Sequence, residues 1–285
     1  MAHRSGMSTT VRPSRRSRLL GLLAGACAAL LPVTSHAETP GLLGATVSAK
    51  LVEGWRLPDG SHMAGLELDL APGWKTYWRA PGDAGVPPSF DWRGSRNLDR
   101  VEVMWPTPSV FDSGGYRTIG YKDRVILPLR IYPRDAGAAV RLEGEVELGV
   151  CQDTCLLTTL DLDGAVDGAG TRTPALAAAL ADQPYTAREA RVGRVSCRIA
   201  PAADGLTLTA EIEMPSAGGQ EIAVIETPDP MIWVAPAETA RRGGTLVART
   251  ELVHSAGGAF ALERSQLRIT VLGQHHAVDI HGCKG

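Results

Sequence analysis

After residue 31 no apolar run in this sequence approaches the ~20 residues that a helix needs to cross a bilayer. No basic stripe runs through the body of the chain, which argues against nucleic acid and anionic membrane as partners. There is no Gly-x-Ser-x-Gly elbow and no His-Glu-x-x-His, so the usual hydrolase signatures are missing. No low-complexity tract and no internal repeat is visible. Helical periodicity is also scarce, and this points to an all-β protein.

The N-terminus has its own character. Arg12, Arg15, Arg16 and Arg18 precede an apolar run over residues 19–31, and Ser35-His36-Ala37 follows. A basic region, a short apolar region and small residues at the third and first positions before Glu38 make a secretory signal over residues 1–37. Arg15-Arg16 offers a twin-arginine variant of that signal and Cys27 a lipid-modified one. Removing this segment takes away five arginines and no acidic residue, so the net charge moves from −2 to −7. The expected location is the periplasm, without a membrane span.

Cleavage also removes Cys27 and leaves Cys151, Cys155, Cys197 and Cys283. An even number of cysteines in an exported chain implies disulfides, and four cysteines allow three pairings. The spacing favours Cys151 with Cys155 and Cys197 with Cys283. A Cys197–Cys283 bond closes a long loop and pins the C-terminal end, a structural role.

Hydrophobic residues recur with a period of two. Ala64, Leu66, Leu68 and Leu70 alternate with polar or small residues, as do Val125, Leu127, Leu129 and Ile131. Leu206, Leu208, Ala210, Ile212 and Met214 repeat the pattern, as do Leu267, Ile269 and Val271. Short strands with one buried face read as two immunoglobulin-like β-sandwich domains. One segment differs: Thr173-Pro174 followed by an Ala/Leu run reads as an N-capped helix with proline at its first position. The expected organisation is a signal over 1–37, a first domain over 38–163, a linker with a short helix over 164–190, and a second domain over 191–285. Five of the six tryptophans fall in the first domain.

Val140, Leu142, Val146, Leu148 and Val150 put the apolar face of one strand at even positions. Arg141, Glu143, Glu145 and Glu147 hold the odd ones, and Cys151 shares their phase. Cys155 falls with Thr159 and Asp161, so both thiols are expected on the solvent side. Gln152-Asp153-Thr154 makes a three-residue hairpin loop that brings the cysteines opposite each other. Such a small loop gains little chain entropy from its bond, and a short exposed disulfide is labile. The spacing alone leaves three readings: an exchange pair, an inert surface disulfide in a non-enzymatic binding module, and two thiolates holding Cu(I). No His or Met is near the pair in sequence, and His275, His276 and His281 lie in the second domain. His62 and His254 stand alone and read as surface residues.

The stretch over residues 73–88, GWKTYWRAPGDAGVPP, resembles the opening signature of the N-terminal periplasmic domain of DsbD-type thiol:disulfide interchange proteins, nearest to the copper-sensitivity-suppressor branch. Asp91-Trp92, Gly94-Ser95, Asn97-Leu98, Trp105-Pro106, Gly120-Tyr121 and Val150-Cys151 through Cys155 continue the likeness. Over the second domain it is looser. The resemblance implies an immunoglobulin-like fold whose Cys151 and Cys155 shuttle between dithiol and disulfide, with Cys155 attacking and Cys151 resolving. It implies a thioredoxin-like electron donor linked to a membrane carrier, periplasmic oxidoreductase clients, and no cofactor, since the thiols carry the electrons. It also implies a cap loop, here Phe111 to Tyr116. Phe111 and Tyr116 would cover the sulfurs, and Asp112 would hydrogen-bond near them or raise a thiol pKa by its charge. No basic residue flanks the cysteines in sequence. The sequence stops after the second domain, so the carrier and the thioredoxin-like part are expected to be separate polypeptides.

Overall fold

A computed structural model describes residues 46–113, 115–167 and 170–284. The expected signal segment and Cys27 lie outside these residues. In the first half the strands are β1 (Val47–Val52), β2 (His62–Leu70), β3 (Lys75–Gly82), β4 (Ser89–Asp91), β5 (Leu98–Val103), β6 (Ser109–Ser113), β7 (Tyr116–Lys122), β8 (Arg124–Pro133), β9 (Val140–Cys151) and β10 (Cys155–Val166). They form a four-stranded sheet, β1-β2-β8-β5, facing a six-stranded sheet, β10-β9-β3-β7-β6, with β4 beside β9.

The alternation explains the layers. Leu66 lies opposite Leu127 and Ala64 opposite Leu129, so β2 and β8 send the same phase inward. From the other sheet Leu142, Val146, Leu148 and Val150 meet them, and Trp78 of β3 is fully buried between. Truncating a buried aromatic of this size costs ~3–5 kcal/mol. The result is the two-layer packing of an immunoglobulin-like sandwich.

A helix, α1 (Pro174–Ala181), follows; the Thr173 hydroxyl accepts from the Leu176 N–H at 3.3 Å, and Pro174 occupies the first turn. Leu176 is fully buried, reaching the face of the first sheet near Gly65. The second half holds β11 (Tyr185–Thr186), β12 (Val195–Ala202), β13 (Gly205–Glu213), β14 (Ile222–Glu226), β15 (Ile232–Val234), β16 (Glu238–Arg242), β17 (Thr245–His254), β18 (Arg268–Leu272) and β19 (Ala277–His281). Its sheets run β11-β19-β18-β14 and β12-β13-β17-β15, with β16 beside β17. Apart from β11 against β19, the named strands pair antiparallel.

The halves share apolar and polar contacts. Leu272 and Ala277 join the core of the first half, and Ile222 and Val224 pack against it. Arg79 stacks on Trp78 at 3.8 Å and crosses to the second half, donating to Glu226 at 3.0 and 3.1 Å and to Thr270 at 3.1 Å. Burial lowers the Arg79 pKa, and Glu226 opposes that shift.

His62 corrects an expectation: it is not a surface residue but fully buried. It sits on β2 opposite Ile131, and neither ring nitrogen has a hydrogen-bond partner. Burial, then the charge of Arg56, push its pKa below the ordinary 6.5, with Asp167 opposing. Below pH 6.5 the unfolded chain takes up a proton that the folded site resists. Stability is therefore complete above that pH and falls as pH drops toward the folded pKa. The expected slope in this window is at most about 1.4 kcal/mol per pH unit, and His62→Leu flattens it. Urea midpoints measured from pH 7 to pH 5 check this; equal slopes in both proteins would remove His62 from the account. His254 is partly buried beside Phe260, with ring centroids 5.9 Å apart.

Candidate functional site

Strand β9 ends on Cys151 and β10 begins on Cys155, and the two residues are cross-strand partners. They form a disulfide with a Cα–Cα distance of 4.1 Å. Between them Gln152 donates its N–H to the Thr154 carbonyl at 3.2 Å, closing the turn. On its other side β9 meets β3, where Lys75 lies opposite Cys151 and Thr76 opposite Val150. The Thr76 hydroxyl donates to the Gly149 carbonyl at 2.9 Å and anchors this junction.

The two sulfurs have unlike surroundings. Cys155 is exposed, as expected, but Cys151 is 1% exposed, which corrects its assignment to the solvent side. Its strand phase is the outer one, yet that face is covered at this end. The cover is Tyr77, whose hydroxyl lies 2.9 Å from Cys151 Sγ and 3.4 Å from Cys155 Sγ. Two glycines leave room for its ring. A Cβ on Gly149 would stand 2.9 Å from the ring, and one on Gly85 2.7 Å from it. Val86 closes over Gly149 from the same loop. Burial raises the pKa of Tyr77, so the phenol stays protonated and able to donate.

Lys75 is the cross-strand neighbour of Cys151 on β3. It shares the outer face with Cys151, and its amine donates to Thr118 Oγ1 at 3.2 Å and sits 5.2 Å above the Phe111 ring.

The three expected cap residues fall on the β6–β7 hairpin, on different faces. Phe111 pairs with Thr118 and is partly buried on the face that carries Lys75 and Tyr77. Asp112 pairs with Arg117 and points the other way, into a cleft that Asp83 and Glu221 also line. Tyr116 begins β7 and is 62% exposed. Tyr77 was part of the quoted signature but had no assigned role. Its signal was the pair of glycines, Gly85 and Gly149, that make space for a ring.

Cys197 and Cys283 form the second disulfide, 86 residues apart in sequence. Cys197 is buried in the second core. Around it Cys197 donates its N–H to the Lys284 carbonyl at 2.7 Å, and Lys284 donates to Val195 at 3.0 Å, tying the last residues to β12. Among the described residues no group of three or more His, Cys, Asp and Glu side chains could hold a metal ion. His281 contacts Asp279 at 3.2 Å, and His276 packs beside Tyr185. Among the same residues no helix is long and apolar enough to cross a membrane.

Fold and pair together define a class: a β-sandwich that presents a half-exposed disulfide at a hairpin tip. Comparison with known families is more particular, because residues 48–165 match the family described as thiol:disulfide interchange protein DsbD, N-terminal. The chain is also similar to the solved N-terminal periplasmic domain of ScsB from Proteus mirabilis. That likeness has 24% identity and a TM-score of 0.60, and covers 84% of this chain and 92% of that one. At this identity the likeness establishes the fold, and its coverage extends it beyond the first sandwich into the second half. No curated protein sequence matches the chain.

Proposed function

We propose that this chain is a periplasmic thiol–disulfide exchange protein. It relays reducing equivalents through Cys151 and Cys155, from a thioredoxin-like donor linked to a membrane carrier to periplasmic oxidoreductase clients. Residues 38–163 are the redox domain, and residues 191–285 are a second domain joined to it through 164–190. Cys155 is the attacking thiol and Cys151 the resolver; Cys197–Cys283 is structural. Phe111, Asp112 and Tyr116 belong to a cap hairpin beside the pair. A copper-tolerance setting for the relay rests on the sequence resemblance alone.

The observation that carries this reading is the asymmetry of the disulfide. An incoming thiolate meets Cys155 Sγ, and Cys151 leaves into a site with the Tyr77 hydroxyl in hydrogen-bond reach. The family match over residues 48–165 supports the same chemistry. The deciding measurement is the reduction potential of the pair, read by alkylation and mass spectrometry after equilibration in thiol buffers. A value between about −180 and −270 mV, with Cys197–Cys283 still oxidised, is expected for a relay. A value well below about −300 mV would make the bond structural and leave a binding module as the better reading.

Tyr77→Phe tests the leaving-group argument. A hydrogen bond to a charged group is worth ~1.5–3 kcal/mol, so losing it slows opening of the disulfide by about tenfold or more. The Cys151 pKa rises with it. Both are read by the pH dependence of iodoacetamide alkylation and by the rate of reduction with glutathione. An unchanged rate would show that the hydroxyl does not assist the departing sulfur.

A further inference from the structure

Between the halves lies a cleft of about 540 Å³, large enough for several side chains. One wall is the end of β3 with Pro81 and the β3–β4 loop with Pro87; the other is β14 and the chain leading through β15. Met231 and Trp233, 46% and 57% exposed, stand on this second wall without cover.

Strand β14 pairs with β18 on one side only and is the edge of its sheet. The Ala223 N–H turns away from β18 and donates to Thr239 Oγ1 at 3.1 Å. In an antiparallel pair, alternate residues point the same way, so the Ile225 N–H and carbonyl are directed off the same edge. The side chains of β14 are already engaged. Ala223 and Ile225 belong to the second core, Ile222 and Val224 pack on the first, and Glu226 binds Arg79. With the Ala223 N–H taken by Thr239, what this edge has left to offer is the Ala223 carbonyl and the main chain of Ile225. Its sequence, Ile-Ala-Val-Ile-Glu, holds no lysine or proline to deter pairing.

The cleft and the disulfide site share a wall at Gly85. Gly85 and Pro87 line the cleft, while Gly85 also lies against the Tyr77 ring and Val86 covers Gly149. A single tyrosine ring therefore separates the cleft wall from the sulfurs it touches.

We propose that the open part of the β14 edge, around Ile225, receives an extended apolar segment of the thiol partner by strand addition, holding that partner beside Cys155. The inference rests on the exchange reading above and adds how the partner is held. Recognition through main chain tolerates different sequences, which suits a relay that engages both a donor and clients. Arg79 and Glu226 neutralise each other within the cleft, and the buried Arg79 Nη1 is left without a hydrogen-bond partner, which favours an uncharged segment that brings main-chain carbonyls.

The probe is a peptide with one cysteine, a Gly/Ser spacer of about six residues and the segment Val-Thr-Val-Thr-Val. Its thiolate attacks Cys155 Sγ, and the Cys151–Cys155 bond breaks as the new S–S bond forms. Cys151 leaves as a thiolate and takes a proton from solvent. With the mature oxidised protein, acid quenching and intact-mass analysis should show mixed disulfide forming about tenfold or more faster than with glutathione. N-methylation of alternate residues in the tail should remove most of that advantage, and Trp233→Ala should cut it about fivefold. Equal rates for the plain and N-methylated peptides would overturn strand addition. A disulfide inert to every thiol would instead refute the exchange reading. In that case a cysteine-free tail that shifts the Trp233 fluorescence, and fails to do so when N-methylated, would still support the groove; no shift would overturn it. Concentration-dependent dimers that the tail dissolves would assign the edge to a second copy and overturn the partner assignment.

Discussion

Reduced protein carrying Cys151→Ser accumulates a stable mixed disulfide through Cys155 when exposed to glutathione disulfide, whereas the Cys155→Ser protein accumulates almost none. The expectation follows from accessibility. Cys155 is exposed at the start of β10, and Cys151 is 1% exposed beneath Tyr77. Displacement at sulfur needs the attacking atom in line with the bond it breaks, and a buried thiolate offers no such approach to a bulky disulfide. In the wild type the mixed disulfide is short-lived, because Cys151 is the cross-strand partner of Cys155 and attacks as an intramolecular nucleophile. Well-placed intramolecular groups act at effective concentrations of ~10⁵ M or more, so losing Cys151 should lengthen the adduct's life by about a thousandfold or more. Intact-mass analysis over time reads both quantities. Equal trapping in the two variants would mean that exposure does not set the order of attack. Trapping in Cys155→Ser alone would reverse the assigned roles.

Much of the architecture was legible because a period of two survives wherever one face of a sheet is wet and the other dry. Ala64, Leu66 and Leu68 face the interior, as do Leu127, Leu129, Val146 and Leu148, all in the phase that their alternation implied. The same phase also covered His62, which lies two residues before Ala64 on β2. Its burial follows the alternation of the strand, although its ring is polar.

Cys151 failed for a different reason. Its odd phase is that of Glu143, Glu145 and Glu147, and alternation correctly assigns it to the outer face. Alternation does not say whether something lies over that face. Here Tyr77 of β3 and Val86 of the loop after it do, both more than sixty residues upstream, and Lys75 arrives on the same strand as Tyr77. The chemistry of a thiol depends on such neighbours, so the pair and, through the resemblance, its unequal roles were legible, while its unequal burial was not. The β6–β7 hairpin shows the same division. The resemblance named Phe111, Asp112 and Tyr116 together, while strand alternation turns Asp112 away from Phe111. The cleft was not legible at all, because it is built from β3–β4 and β14–β15, segments far apart in the sequence.

The two disulfides should differ most in what their removal costs. Chain-entropy arithmetic assigns ~4–5 kcal/mol to a loop the size of that closed by Cys197 and Cys283, and only ~2 kcal/mol to the minimal loop of Cys151 and Cys155. The structure adds to the first figure, since the bond is the covalent part of a wider attachment. Cys197 bonds Lys284, Lys284 bonds Val195, and Cys283 donates its N–H to the Arg264 carbonyl at 3.0 Å. Without the bond the last residues and β12 must hold each other through these hydrogen bonds alone. The Cys197→Ala/Cys283→Ala protein is therefore expected to lose ~4–5 kcal/mol of unfolding free energy, and the Cys151→Ala/Cys155→Ala protein ~2 kcal/mol or less. Guanidinium unfolding of both variants beside the wild type, with m-values compared to check the denatured states, makes the measurement. Equal losses would remove the division into one structural and one working bond. A larger loss at Cys151–Cys155 would invert it, because a bond that the fold depends on is one that a relay could not open in each cycle.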